Sequence, residues 1–178
     1  MKALHVTEVL WLSGVVDYSF CDEESKWRGS EVSRAVDLAN KGTLKIKSVP
    51  RNIEGYVDAF FKFKREKHFV CVASEESLEK NSLGLRGRMD ARGFMDGSPA
   101  IVDWKTGQIR DAVALQLVLY GHMRDPSAWV DRCGVQLMPD GDYRIKTWPL
   151  LTWHSDLTTA LACVRVARWK LEKGLVKA

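Results

Sequence analysis

Several features that would assign this chain to a common class are missing from its sequence. No apolar run approaches the roughly 20 residues that a membrane-spanning helix needs, and the N-terminus lacks the long apolar stretch of a signal peptide. There is no Gly-x-x-x-x-Gly-Lys-Ser/Thr loop for nucleotide phosphates. We therefore expect a cytoplasmic protein with no membrane partner, and any ATP-driven motor working with it would be a separate protein.

The chain also has few cysteines and prolines, and neither type is clustered. No Cys-x-x-Cys pair occurs, which argues against an iron–sulfur cluster, a zinc ribbon and a disulfide framework, so we expect buried thiols. The five prolines are dispersed, and no low-complexity linker divides the 178 residues. The sequence therefore predicts one domain spanning residues 1–178. The four cysteines are Cys21, Cys71, Cys133 and Cys163.

The chain does contain many hydrophobic residues, and their spacing follows helix and strand periodicities. With 46% hydrophobic residues, it can bury about 70% of its unfolded surface. The net charge of +4 permits a polyanionic partner without requiring one. Periodicity predicts the order α-α-α-β-β-β-α-β-β-α, which is an α/β (α+β) fold with a mixed central sheet flanked by helices. The predicted helices cover 7–16 with Thr7 as N-cap, about 27–42, about 50–61, 112–123 and 157–171, and the strands cover 69–73, 85–93, 100–105, 130–138 and 143–148.

The most informative segment is the predicted strand that ends at Lys105. Alternate side chains of a strand share a face, so Asp103 and Lys105 point the same way as Ile101. Asp90 lies on the preceding strand, and a hairpin turning at residues 96–97 brings the two aspartates together. Two carboxylates that converge on one point call for a cation.

These residues suit a hard divalent ion. Mg²⁺ or Mn²⁺ takes oxygen ligands, usually one or two carboxylates with waters and substrate phosphate, and Asp90 and Asp103 meet that demand. The adjacent Lys105 can position a water or neutralise a phosphate, and Glu75 could be a third acid, directly or through water. By itself, however, the Asp-x-Lys spacing also fits a solvated strand face. Gln116 and Tyr120, at i, i+4 on the next helix, likewise fit an ordinary amphipathic helix.

Taken in order, these motifs resemble the RecB-like branch of the PD-(D/E)XK nucleases. The resemblance extends over residues 5–172 and implies a restriction-endonuclease-like core that cleaves DNA with Mg²⁺ or Mn²⁺. The resemblance implies that Asp90, Asp103 and the backbone carbonyl of Trp104 are metal ligands, that Lys105 is the catalytic lysine, and that Gln116 and Tyr120 close the site near the DNA backbone. The motifs are Gly87-x-x-Asp90, Ile101-Val102-Asp103-x-Lys105-Thr106-Gly107 and Gln116-x-x-x-Tyr120.

One upstream motif departs from the family pattern. The segment 28–33 is similar to a family helix motif in which a His faces the metal, and Ser33 occupies that His position. Either a water completes the metal shell or the protein has lost activity. Asp37, one turn further, is a possible substitute ligand or a solvated acid.

The resemblance leads to a functional expectation with an alternative. We expect a metal-dependent deoxyribonuclease, with an exonuclease preferred, acting on DNA in recombination, repair or phage genome processing, alone or with a separate recombination or helicase protein. The hairpin at 139–142 and the last helix are similar to small phage-type members. The alternative is a degenerate module that binds nucleic acid or a partner protein without cutting. Basic residues at 62–67 and 165–177 either track phosphates or form solvated helix faces; oligomeric state and cleavage polarity stay open.

Overall fold

The computed structural model describes residues 3–17 and 22–177. Cys21 lies outside these residues. Cys133 and Cys163 are buried free thiols, as predicted, whereas Cys71 is half-buried. Within the described ranges, no helix is both long enough and apolar enough to cross a membrane.

The order of helices and strands confirms the prediction, with a two-residue strand added at the start. Short 3-10 turns occupy 46–48, 51–53 and 150–152. The helices are α1 Val6–Ser13, α2 Glu23–Asn40, α3 Glu54–Glu66, α4 Ala112–Arg124 and α5 Trp153–Glu172. The strands are β1 Leu4–His5, β2 Val70–Lys80, β3 Leu85–Met95, β4 Ser98–Lys105, β5 Asp131–Leu137 and β6 Tyr143–Trp148.

Four helix starts differ from the prediction. Helices α3 and α5 follow the 3-10 turns at 51–53 and 150–152, and they begin at Glu54 and Trp153 where about 50 and 157 are predicted. The starts of α1 and α2 differ because side-chain caps decide them. His5, not Thr7, caps α1, and its backbone N–H donates to Glu8 Oε2 at 3.1 Å in a capping box. Helix α2 begins four residues before Trp27, because Asp22 Oδ1 accepts from the Ser25 N–H at 2.7 Å. The first turn of α2 is polar, so apolar periodicity did not reveal it.

The six strands form one mixed sheet in which β3 is the central element for the site. Strand β2 pairs antiparallel with β3 along one edge. On the other edge, β1 pairs with residues 85–86 and β4 pairs with residues 91–95. On that edge, residues 87–90 fall in the gap between the segment that pairs with β1 and the segment that pairs with β4, so the sheet opens there. Strand β5 extends the sheet parallel to β4, and β6 closes it antiparallel to β5.

The turn between β3 and β4 fixes the register of the site. Asp96 and Gly97 both have positive φ, 48° and 84°, as the two central residues of a tight hairpin turn require. The register Met95↔Ser98 to Ala91↔Val102, continued by one residue, sets Asp90 opposite Asp103. The sequence-based expectation that the hairpin brings these two residues together is confirmed.

Helices cover both faces of the sheet. Ile101 packs in the core on the side of α1, α4 and α5, while Val102 and Trp104 pack on the side of α3 and part of α2. This arrangement confirms the predicted alternation along β4. The Trp104 ring meets three phenylalanines edge-on, with centroids 5.3–5.8 Å apart, and it anchors β4 next to the site.

Two of the basic residues in the C-terminal segment have structural partners. Arg168 Nη2 donates to the carbonyls of Leu83 and Gly84, at 2.9 Å each. Lys170 Nζ donates to the Leu12 carbonyl at 2.8 Å. These two side chains link α5 to the β2–β3 turn and to the end of α1. Their role is therefore structural, and it differs from the phosphate contacts that the sequence suggested for this segment.

Candidate active site

A cleft of about 1110 Å³ lies between α2 and the end of β4. Its walls also include the loop from residue 106 to residue 110 and the start of α4. Seven basic side chains line it, against three acidic ones, so the cleft favours anionic ligands. The basic residues are Lys26, Arg28, Arg34, Lys41, Arg88, Lys105 and Arg110, and the acidic residues are Asp17, Asp37 and Glu75.

Asp103 lies beside this cleft in a fully buried position. It is 1% exposed, and its Oδ1 accepts from Gln116 Nε2 at 3.1 Å. Its Oδ2 lies 2.7 Å from Lys105 Nζ. Since Gln116 and Lys105 line the cleft, a ligand there meets these two groups before it meets the carboxylate.

Asp90 approaches the same point from β3. Its Oδ2 accepts from the backbone N–H of Trp104 at 3.0 Å. Burial and then the charge of Asp103 raise the pKa of Asp90 to about 7, against the opposing effects of Lys105 and the Trp104 amide. The raised pKa reflects burial and the proximity of a second carboxylate.

Tyr120 supports the site from behind. It is 1% exposed, and its ring packs on Gly87, where an added Cβ would lie 2.6 Å from Tyr120 Cε1. Burial, followed by the charges of Asp90 and Asp103, raises the pKa of the Tyr120 hydroxyl. The resemblance implies a side chain near the DNA backbone; in the structure this tyrosine is buried against Gly87 and is not among the residues that line the cleft.

Glu75 and Ser33 join the second wall of the cleft to the sheet. Ser33 Oγ on α2 donates to Glu75 Oε1 at 2.8 Å, and Arg88 Nε lies 2.9 Å from Glu75 Oε2. Ser33 lines the cleft, and its partner is a carboxylate; that residue 33 lies beside a metal stays a prediction. One turn further along α2, Asp37 accepts from Ser74 Oγ at 2.6 Å and pairs with Lys41.

These oxygens fit a divalent ion only in part. Within residues 3–17 and 22–177, no three His, Cys, Asp or Glu side chains cluster closely enough to hold a metal by themselves. Asp90 and Asp103 nevertheless supply two hard oxygen donors whose mutual repulsion a cation would relieve. Mg²⁺ is usually held by one or two carboxylates with waters and substrate phosphate, so the donor set suits it.

Comparison with known proteins places the fold. No protein-family model matches the chain, and no curated protein matches it. A solved structure of a candidate exonuclease from Eubacterium rectale aligns with a TM-score of 0.61 at 15% identity, covering 99% of this chain and 83% of that one. The two proteins share a fold.

Two structures of the alkaline exonuclease LHK-Exo from Laribacter hongkongensis align more weakly. Both have a TM-score of 0.40, at 12% and 11% identity. The first is a complex with dAMP and covers 98% of this chain and 95% of that one. The second covers 97% and 93%. A likeness at this TM-score does not bear on the fold or on the site.

Sequence reasoning missed most of the cations that line the cleft. It considered 62–67 and 165–177 as basic surfaces, whereas three of the seven cleft cations lie on α2 and a fourth, Lys41, directly follows it. Arg88 lies inside the Gly87-x-x-Asp90 motif and was passed over. The available signal was its position two residues before Asp90, within a motif that already predicts the site.

Proposed function

We propose that this protein is a divalent-metal-dependent deoxyribonuclease of the RecB-like PD-(D/E)XK type, with DNA as its substrate. The observation that supports it most is the pair of crowded carboxylates, Asp90 and Asp103, beside a cleft lined mainly by basic side chains. A cleft of this charge attracts a phosphate backbone. The carboxylate pair is the part that a simple anion-binding site would lack.

Each residue at the carboxylate pair would have its own role in the reaction. Asp90 and Asp103 would hold the ion, with the Trp104 backbone beside Asp90. When bound, such an ion lowers the pKa of a coordinated water and stabilises charge on a phosphate. Lys105 neutralises Asp103 and would turn its ammonium toward a phosphate oxygen or the attacking water. Gln116 holds Asp103 in place through Oδ1.

Cleavage assays test this proposal. Linear and circular DNA, single- and double-stranded, should be incubated with Mg²⁺, Mn²⁺ or EDTA. We expect cutting that depends on the metal, with linear DNA preferred because an exonuclease needs an end. Asp103→Asn should reduce the rate by about a hundredfold or more, while Asp58→Asn, an exposed acid on α3, should leave it unchanged. Equal cleavage by wild type and Asp103→Asn would contradict the proposal.

The binding-only alternative has an observation in its favour. Ser33 hydrogen-bonds to Glu75, and Lys105 and Arg88 already pair with Asp103 and Glu75. A protein that needs no metal could use these ion pairs to neutralise its acids. Tight DNA binding with no cutting in either metal would favour this alternative.

A further inference from the structure

Like Lys105, Arg88 is a cleft cation only two residues from a member of the carboxylate pair. It lies on β3 two residues before Asp90, its side chain is 63% exposed, and it lines the cleft. Its Nε pairs with Glu75 Oε2 at 2.9 Å. Among the described residues, no other group bonds the two terminal amino groups of this guanidinium. They are available to a ligand in the cleft.

Glu75 is held in an unusual conformation that makes this pairing possible. Its φ is +53°, in the middle of β2, and a non-glycine residue pays about 1–2 kcal/mol for a left-handed conformation. The flanking pairs Ser74↔Ala91 and Glu76↔Met89 set Glu75 opposite Asp90. Both carboxylate oxygens are engaged, one by Ser33 and one by Arg88. Such a fully occupied carboxylate is suited to orienting its partners.

The chemistry of the free amino groups points to a phosphate. A guanidinium presents its N–H donors as a rigid planar fork that matches two phosphate oxygens. Arg88 lines the same cleft as Lys105 and Gln116, the two side chains that bond Asp103. It also lies two residues from Asp90, about 6.6 Å along the strand, which is comparable with the separation of neighbouring phosphates along a nucleic acid strand. A phosphate at Arg88 would therefore be the neighbour of one placed at Asp90.

We propose that Arg88 binds the DNA phosphate next to the one at the carboxylate pair, and that Glu75 is a positioning residue which holds the guanidinium through Nε. This inference rests on the proposed function for its substrate. It assigns Glu75 to Arg88 and Ser33 instead of to the metal.

DNA binding without cleavage tests the role of Arg88. Affinity for a fluorescent single-stranded oligonucleotide should be measured against salt concentration, in EDTA and with Ca²⁺ replacing Mg²⁺. For Arg88→Gln we expect about tenfold weaker binding and a slope of log affinity against log salt that is lower by about 0.7, since one phosphate contact is lost. Arg88→Lys should keep the slope and lose less affinity. Arg144→Gln, an exposed arginine on β6 outside the cleft, should change neither.

The role of Glu75 has its own discriminating result. If Glu75 is only a nearby negative charge, Glu75→Ala removes repulsion and DNA binds more tightly. If it positions Arg88, Glu75→Ala weakens binding, has little effect in an Arg88→Gln background, and leaves the Mn²⁺ affinity measured by calorimetry unchanged. Circular dichroism checks that each variant folds.

Several outcomes would overturn the inference. They are an unchanged affinity and slope for Arg88→Gln, tighter DNA binding by Glu75→Ala, or no DNA binding by the wild type at low salt. Failure of the proposed function is recognised separately. A wild type that binds DNA through Arg88 but never cuts it would refute the nuclease and leave the phosphate site standing.

Discussion

The crowding of Asp90 and Asp103 predicts how stability depends on pH without metal. Burial and the charge of Asp103 raise the pKa of Asp90 from 3.8 to about 7 in the folded protein. A carboxyl with a raised pKa contributes its full stability below about pH 4, where both states are protonated, and loses it as pH rises to about 7. That difference corresponds to roughly 4 kcal/mol, and partial exposure of Asp90 reduces it to about 2 kcal/mol.

The perturbation is Asp90→Asn, which keeps an acceptor for the Trp104 N–H and cannot ionise. In EDTA, we expect this variant to be about 2 kcal/mol more stable than the wild type at pH 8, and the advantage to vanish near pH 4. Urea unfolding at a series of pH values measures the difference, because groups that titrate in both proteins cancel. Asp58→Asn serves as the control, since this acid is exposed.

Magnesium supplies a second arm of the same experiment. Because a bound cation stabilises the ionised pair, Mg²⁺ should raise the stability of the wild type at pH 8 more than that of Asp90→Asn. A stability difference that stays constant from pH 4 to pH 8 would refute the reasoning. In that case the two carboxylates do not repel each other, and the argument for a cation between them fails.

Three further predictions concern single residues of the site and its support. Lys105→Ala should lower the cleavage rate by about a hundredfold while calorimetry still detects Mn²⁺ binding; loss of both would mean that the lysine also maintains the metal site. Gly87→Ala should destabilise the fold by about 1–3 kcal/mol, because the new Cβ would lie 2.6 Å from the buried ring of Tyr120. Urea unfolding measures this loss, with Gly107→Ala as the control because the space around Gly107 is open. Equal stability of the two variants would contradict this packing. Ser33→His should raise Mn²⁺-supported cleavage more than Mg²⁺-supported cleavage, because nitrogen suits Mn²⁺ better; an unchanged ratio would mean that residue 33 is not at the metal.

Patterns with a short period were enough to predict much of the fold. Strand β4 alternates as expected, and residues 96 and 97 supply the two positive φ values of the hairpin turn. By contrast, the apolar run that predicts β2 ends at residue 73, whereas the strand continues to Lys80. Its second half is polar, so the strand is stabilised by pairing with β3 and not by burial of an apolar face of its own.

The sequence by itself determined the pairing of Asp90 with Asp103 and the position of Lys105 beside them, because hairpin register and strand alternation are local properties of the backbone. Only the tertiary structure decided which cations line the cleft and what Glu75 contacts. Ser33, Glu75 and Arg88 come from one helix and two strands, and Ser33 lies 42 residues from Glu75. Contacts between such distant segments depend on how helices pack on the sheet, and no periodicity in the chain encodes that packing.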